Sequence, residues 1–173
     1  DLYRMQTGRK VGERLRYYSA HEFDFSPLEP FRGELIELGR ACVHQQHRNL
    51  QVLGLLWKGI AEYAQAHGSR YLCGCSSLTS QDAAVGAAAY EELRRNHLAP
   101  PQFRTRPLPQ WECPLGTVAP QKPSIPKLLR AYLSLGATIC GPPALDRQFK
   151  TIDFLTLLDL EGVAPSTRQR FLS

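Results

Sequence analysis

Glu37 and Arg40 lie inside an otherwise apolar, strand-like run, and His44, His47 and Arg48 crowd the turn that follows it. A charge inside a strand costs free energy unless it is paired or used in chemistry. Such a strand can present a base and hydrogen-bond donors to a reacting carbonyl group, while a basic turn beside it holds a phosphate. The residue types therefore predict a site for a phosphate-bearing substrate with a reactive carbonyl.

The elements that must position these residues form a strand–helix–strand unit. Residues 35–43 read as a strand, and from Val52 the apolar period becomes helical and continues to residue 66. Gly68 ends the helix, and residues 71–75 return as a second buried strand. Because strand–helix–strand crossovers are right-handed and connect parallel neighbours, we expect the two strands to lie side by side.

The turn before the helix is the predicted phosphate site. The first N–H groups of a helix are unpaired within it and lie at the positive end of its dipole, and Arg48 adds a fixed positive charge. A pyrophosphate or phosphopantetheine phosphate suits this arrangement. The alternative is an ordinary βαβ unit whose turn happens to be basic, since phosphate-binding turns are a minority of such turns.

Ordered motifs through nearly the whole chain carry a family resemblance. The central ones are ELGRACVH at residues 37–44, HR at 47–48 and GCSS at 74–77. Others are YYS at 17–19, EFDFS at 22–26, LGA at 135–137, GPPA at 141–144 and DF at 153–154. The set resembles motif A of the GNAT N-acyltransferases, and more narrowly the "hemolysin-like" branch that makes ornithine lipids. Glu37-x-x-Arg40 is also similar to the Glu-x-x-Arg of acyl-homoserine-lactone synthases.

The resemblance implies one domain, residues 1–173, with an α/β GNAT fold and a mixed central sheet flanked by helices. It also implies an N-terminal strand and helices that would precede Asp1. The implied reaction moves a long-chain (3-hydroxy)acyl group from an acyl-carrier-protein thioester to the α-amine of an amino acid such as ornithine or glycine. The product is a lyso-aminolipid. The resemblance implies no permanently bound cofactor, because the acyl group arrives on a phosphopantetheine thioester that acts as cosubstrate. The alternatives are a homoserine-lactone-type synthase and a non-catalytic module that binds carrier protein or membrane.

The chain departs from the family's usual pyrophosphate loop. The glycines expected after Arg48 are absent, and Asn49-Leu50-Gln51-Val52-Leu53 stand in their place. Bulkier residues leave less room for the backbone to approach a pyrophosphate. The departure favours an acyl carrier protein over acyl-CoA as donor. The predicted donor-binding residues are Val43, Arg48, Asn49, Val52, Leu53, Ser76 and Ser77.

Glu37 is the predicted catalytic base, because an amine nucleophile must lose a proton near neutral pH. Arg40 would orient Glu37 or bind the acceptor's carboxylate, and a structural salt bridge between the two is the alternative. Strict alternation puts the pair on opposite faces of the strand, so co-operation requires a β-bulge, for which Gly39 is the natural place. His44 is the second candidate base, although a lone loop histidine is more often simply solvated.

Hydroxyl and thiol groups complete the candidate site. Ser76 and Ser77 end the second strand and can donate hydrogen bonds to the pantetheine or thioester, although serine is also a routine turn residue there. Cys42 and Cys75 are less favoured as acyl-enzyme nucleophiles, because neither has an evident histidine partner and cysteine is commonly a small buried apolar residue. The Cys and His spacings do not predict a metal site.

Composition limits partners and compartment. Lys and Arg number 21 against 16 Asp and Glu, a net charge of +5, which suits an acidic partner such as acyl carrier protein or an anionic membrane surface. The basic residues are spread along the chain without a nucleic-acid-binding motif, so nucleic acid is not the expected partner. Five cysteines without a C-x-x-C pattern predict free thiols in a reducing, cytoplasmic compartment. No apolar run is long enough to span a bilayer, so we expect any contact with the inner membrane to be peripheral.

The remaining segments have simpler expectations. A helix with a capping-box-like start at Thr79-x-x-Asp82 should run to about residue 97, and another, capped by Ser124, should run to Leu135. Further strands are expected at residues 137–140 and 152–160. The proline-rich residues 100–123 predict either a lid or a loose connection. The aromatic residues 23–28 would anchor a loop or line an acyl tunnel.

Overall fold

A mixed six-stranded sheet forms the centre of the computed structural model, which describes residues 4–7, 17–39, 43–47 and 49–165. The strands are β1 (Arg4–Thr7), β2 (Leu35–Gly39), β3 (Tyr71–Leu78), β4 (Thr138–Ile139), β5 (Ala144–Asp146) and β6 (Thr151–Asp159). Their order across the sheet is β1-β2-β3-β6, and both β4 and β5 pair with the far edge of β6. The helices are α1 (Leu50–Ala66), α2 (Ala83–His97) and α3 (Lys127–Ser134).

The predicted strand–helix–strand unit is confirmed. β2 and β3 are parallel neighbours joined through α1, and Leu35 stands opposite Tyr71. The helix begins two residues earlier than the apolar period indicates, because Asn49 caps it by accepting a hydrogen bond from the Val52 N–H. β2 ends at Gly39, so Val43 lies outside the strand that sequence reasoning assigned to it.

The three helices cover one face of the sheet. Alternate strand residues point to this face, where apolar helix positions meet them. One buried cluster joins α1 to the centre of the sheet through Ile36, Trp57, Ile60, Ala64, Leu72 and Leu158. A second cluster joins α2 and α3 to its far end through Leu78, Ala89, Leu93, Leu129, Leu133, Ile152 and Phe154.

Irregular chain covers the opposite face. Residues 17–34 contain two 3₁₀ segments, Tyr18–His21 and Ser26–Glu34, which pack Tyr17, Phe23, Phe25 and Leu28 against the strands. These aromatic residues are therefore core anchors of the loop, the first of the two expectations. The Tyr17 hydroxyl also donates to the Leu35 carbonyl oxygen at 3.2 Å.

The first part of the proline-rich segment, residues 100–113, packs against the rest of the protein, whereas most of residues 114–123 are exposed. Phe103 and Cys113 are buried, and the segment forms short 3₁₀ turns at Pro101–Phe103 and Pro109–Trp111. Its backbone pairs with the covering loop, since the Leu108 N–H donates to the Glu22 carbonyl oxygen at 2.7 Å. The prolines remove donors that this irregular path would leave unpaired.

Three further elements differ from the sequence expectation. Asp82, not Thr79, caps α2 through the Ala84 N–H. The expected cap at Ser124 is wrong, because α3 begins at Lys127 after Pro126, whose fixed φ suits the position before a helix. Residues 137–140 contribute only the two-residue strand β4.

Gly74 is required where the Leu38 carbonyl oxygen of β2 approaches β3. A Cβ atom there would lie 2.5 Å from the Leu38 carbonyl oxygen, too close for any real contact. We expect Gly74→Ala to destabilise the fold by about 1–3 kcal/mol, because the backbone must move. Urea unfolding measures the change.

Gly59→Ala in α1 is the matched control. A Cβ at Gly59 has nothing within 4 Å, so the same substitution should stabilise the helix by roughly 0.5–1 kcal/mol. Equal effects of the two substitutions would show that the Gly74 contact is unimportant.

Candidate functional site

A cavity opens where β2 and β3 separate. Their pairing ends at Glu37 and Cys73, although β3 continues to Leu78 and stays paired with β6 on its other side. Beyond Cys73, the β2-side edge of β3 therefore has no partner strand among the described residues. A cavity of about 270 Å³ lies at this position.

The walls of the cavity differ in polarity. Side chains from α1, α3 and the segment before α3 form an apolar wall that includes Trp57, Leu128, Leu129 and Tyr132. The strands supply Gly39, Cys75, Ser76, Ser77 and Thr156. Ser76 is buried and its hydroxyl lies 3.3 Å from that of Thr156, whereas Ser77 is exposed. Both serines thus line the cavity near the end of β3, and their contact with the donor stays a prediction.

Glu37 lies in the centre of the sheet and is 4% exposed. Its Oε1 accepts hydrogen bonds from the Ser19 N–H and the Ser19 hydroxyl, each at 2.7 Å. Its Oε2 accepts one from the Tyr18 N–H, also at 2.7 Å. The carboxylate thus holds the covering loop, residues 17–34, against β2. Among the described residues Oε2 accepts only the Tyr18 N–H, so it can accept one more hydrogen bond.

The predicted partnership between Glu37 and Arg40 is not tested, because Arg40 lies outside the described residues. β1 pairs with β2 one residue to one residue from Thr7–Ile36 to Arg4–Gly39. This part of β2, Gly39 included, therefore contains no bulge of the kind that the partnership requires.

His44, the second candidate base, is exposed and is not among the cavity-lining residues. Its ring lies 5.7 Å from that of His47, and its Nδ1 is 3.4 Å from the Gln46 N–H. The structure thus separates it from the cavity.

The predicted phosphate turn uses much of its own hydrogen-bonding capacity. The Asn49 N–H donates to the His47 carbonyl oxygen, the Val52 N–H to Asn49 Oδ1 and the Leu53 N–H to the Asn49 carbonyl oxygen. At most two of the five N–H groups of residues 49–53 remain for a ligand. Arg48 lies outside the described residues, and the partly buried Leu53 packs against the core cluster beneath α1.

Cys75 is poorly suited to act as a nucleophile. Burial raises the pKa of its thiol well above the usual value, and the nearby Glu22 raises it further. A thiol in such surroundings stays protonated and unreactive. Cys42 lies outside the described residues.

Sequence reasoning missed an acidic cluster on the face of the sheet that also carries Glu37. Glu22, Asp146 and Asp153 each offer a carboxylate oxygen, and the three oxygens lie within 4.8 Å of one another. All three residues are at most 4% exposed. Glu22 lies in the EFDFS motif, Asp153 in the DF motif and Asp146 in β5, so the sequence could point to these residues only one at a time. Glu22 is more than 100 residues away from the other two along the chain, and no local pattern indicates that the three meet.

The cluster carries displaced pKa values. Burial raises the pKa of Glu22 from its usual 4.5 to about 8, and Asp153 and Asp146 add to the rise. Burial also raises the pKa of Asp153, against the opposing effect of the Ser77 and Thr151 hydroxyls. Strongly displaced pKa values of this kind concentrate at functional sites.

Comparison with known proteins agrees with this architecture. The family model of the acetyltransferase (GNAT) domain matches residues 2–58. An L-ornithine N(alpha)-acyltransferase of Rhodobacter capsulatus is 32% identical over 96% of this chain and 66% of its own length. A protein of the same name from Brucella abortus is 29% identical over 94% of this chain and 61% of its own length.

The match of residues 2–58 to the family model, together with the similarity to these relatives over most of the chain, places this chain among the GNAT acyltransferases. Among them, the chain is a homologue of the L-ornithine Nα-acyltransferases. The chain spans less than two thirds of the length of these curated relatives. No solved structure matches it significantly. Among the described residues, no helix combines the length and apolar composition needed to cross a bilayer.

Glu22→Gln should change the pH dependence of stability. Between pH 4.5 and about 8 the folded state keeps the Glu22 proton and the unfolded state loses it, so wild-type stability falls as pH rises through this window. Glutamine cannot ionise, so the Tm of the variant relative to wild type should rise between pH 5 and pH 8.5, by roughly 5 °C or more. Thermal unfolding at both pH values measures it.

Glu91→Gln is the control for this experiment. Glu91 is an exposed glutamate that pairs with Arg94 on α2, so its substitution should change Tm almost equally at both pH values. A Glu22→Gln profile parallel to that of wild type would show that Glu22 ionises normally.

Proposed function

We propose that the protein is an N-acyltransferase that moves an acyl group from a phosphopantetheine thioester to the α-amine of an amino acid, with ornithine as the first candidate acceptor. The free edge of β3 beside the cavity carries this proposal. A strand edge offers backbone N–H and C=O groups to an extended ligand, and the two amides of pantetheine can pair with them as a strand would. The names of the relatives support the reaction and the acceptor.

The apolar wall suits the rest of the donor. Trp57 and Leu129 are buried at the cavity, and Leu128 is 47% exposed beside them. A long acyl chain or the pantetheine arm gains free energy by covering such a surface. The wall therefore supports a donor with a long apolar group.

An acyl carrier protein is the donor that we propose. A pyrophosphate needs several free N–H groups, and the turn before α1 already uses those of Asn49, Val52 and Leu53. A carrier protein brings a single phosphate and an acidic surface, which the net charge of +5 would attract. The four free cysteines of the described residues, Cys73, Cys75, Cys113 and Cys140, fit a reducing cytoplasmic setting.

The chemistry is direct attack of the amine on the thioester carbonyl. The amine nitrogen forms the new C–N bond, loses a proton to Glu37, and the C–S bond breaks to release the pantetheine thiol after proton return to sulfur. Ser76 is the proposed side-chain donor to the carbonyl oxygen while it carries negative charge. The Ser77 hydroxyl points to the opposite face of β3, where it contacts Asp153, so the two hydroxyls cannot serve the same oxygen. Direct attack needs no acyl-enzyme, in keeping with the protonated state of Cys75.

Comparing donors tests the proposed function. With ornithine as acceptor, the acyl carrier protein thioester should give an N-acylornithine detectable by mass spectrometry, at least about tenfold faster than the matching acyl-CoA, a difference of about 1.4 kcal/mol in transition-state binding. Equal rates would reject the carrier protein as preferred donor. Absence of product with either donor would favour the non-catalytic module.

Glu37→Gln tests the base. The substitution should lower kcat by about 10²–10⁴-fold, since proton transfer is lost. Glutamine also turns an N–H toward Tyr18 or Ser19, where the present oxygens accept hydrogen bonds. The cost of such a mismatch is about 1–3 kcal/mol, so Tm must be measured on the same preparation.

Ser19→Ala is the matched control. It removes the hydroxyl that donates to Glu37 and leaves the carboxylate in place. We expect its kcat to stay within about tenfold of wild type while Tm falls. If both variants lower Tm and spare kcat, Glu37 only holds the loop.

A further inference from the structure

The acidic cluster of Glu22, Asp146 and Asp153 has a charge that the described protein does not neutralise. The ion pairs of the described residues involve none of the three carboxylates. Within the part of the chain that the structure describes, the buried oxygen Oδ1 of Asp153 has no hydrogen-bond partner. An unpaired buried carboxylate is costly, so its retention points to a cationic ligand.

The other oxygens show how many acceptor positions remain. Asp146 Oδ1 accepts from the N–H groups of Gln148 and Phe149 at 2.7 and 2.9 Å. Asp153 Oδ2 accepts from the Thr151 hydroxyl at 3.2 Å. Each of the three carboxyl groups offers one oxygen toward the other two, and among the described residues Asp153 Oδ1 is the buried one without a hydrogen-bond partner.

We propose that Glu22, Asp146 and Asp153 bind the side-chain ammonium group of a cationic amino-acid acceptor. Three acceptor oxygens match the three N–H donors of a primary ammonium group. The inference rests on the proposed function and specifies its acceptor as a diamino acid.

The cluster adjoins the cavity through β3. Cys75, which lines the cavity, has its Sγ 4.0 Å from Glu22 Oε2 and 3.3 Å from the hydroxyl of Ser19. Ser77 also lines the cavity and stands directly opposite Asp153. An acceptor can therefore place its α-amine by Glu37 and the thioester while its side chain reaches the cluster.

Ammonium binding should release a proton. Burial and the facing carboxyl groups of Asp153, Asp146 and Glu37 keep Glu22 protonated near neutral pH, and the facing Cys75 thiol is protonated as well. An alkylammonium like that of lysine stays charged up to a pH of about 10. It thus replaces the Glu22 proton, and its affinity should rise as pH increases toward 8.

Calorimetry with ornithine and with norvaline, which lacks only the side-chain amine, tests the proposal without the acyl donor. Ornithine should bind at least about tenfold more tightly, the scale of a charged hydrogen bond, and should release a proton in buffers of different ionisation enthalpy. Asp153→Asn should abolish the preference. Glu22→Gln is the second variant if Asp153→Asn does not fold, and it should abolish the proton release.

Asp159→Asn is the matched control. Asp159 lies on the same strand and face but is already paired with Arg70, so its substitution should leave the preference intact. Equal binding of ornithine and norvaline to wild type would overturn the proposal, and so would tightly bound divalent metal that the Asp153 variant loses. Acylation of norvaline by such a protein would show that the proposed function survives the failure of this subsite.

Discussion

The hydrogen bonds between the Glu37 carboxylate and the backbone of Tyr18 and Ser19 hold one face of the sheet closed. They tie the covering loop, which is built of short 3₁₀ segments, to the central strands. The free-energy cost of burying the Glu37 carboxylate is offset because two N–H groups and a hydroxyl replace the hydrogen bonds of the lost water. The loop in turn carries Glu22 into the acidic cluster, so the position of the cluster depends on these bonds.

The separation of β2 and β3 is the second constraint. The sheet loses strand pairing beyond Cys73 and gains an open edge beside an apolar wall. Unpaired edges are a liability that proteins usually cover. In this protein the edge lies within a cavity, where a ligand can satisfy it while helices exclude other chains.

The acidic cluster stores free energy that a ligand can recover. Three buried carboxyl groups with one unpaired oxygen reduce stability, most strongly when Glu22 is forced to ionise. A cation that enters the cluster relieves this cost, and binding then stabilises the fold. The protein would thus gain specificity for a charged acceptor, and its fold would be less stable when no acceptor is bound.

The sequence by itself determined the local elements and the family. The period change at Val52, the end of the helix at Gly68 and the ordered motifs were enough for the strand–helix–strand unit and the GNAT fold, because these signals lie within short stretches of chain. The sequence also singled out Glu37 as unusual. It did not reveal that Ser19 and Tyr18 satisfy its carboxylate, or that the N–H groups after Arg48 are largely used within the turn.

Only the tertiary structure decided which residues meet. Glu22, Asp146 and Asp153 come from a loop, a short strand and the last strand, and no spacing in the chain relates them. The same holds for the cavity, which exists because two strands diverge while a third keeps its register. Local patterns report the period of a helix or strand, whereas the burial of a charge depends on segments that contact it only after the chain has folded.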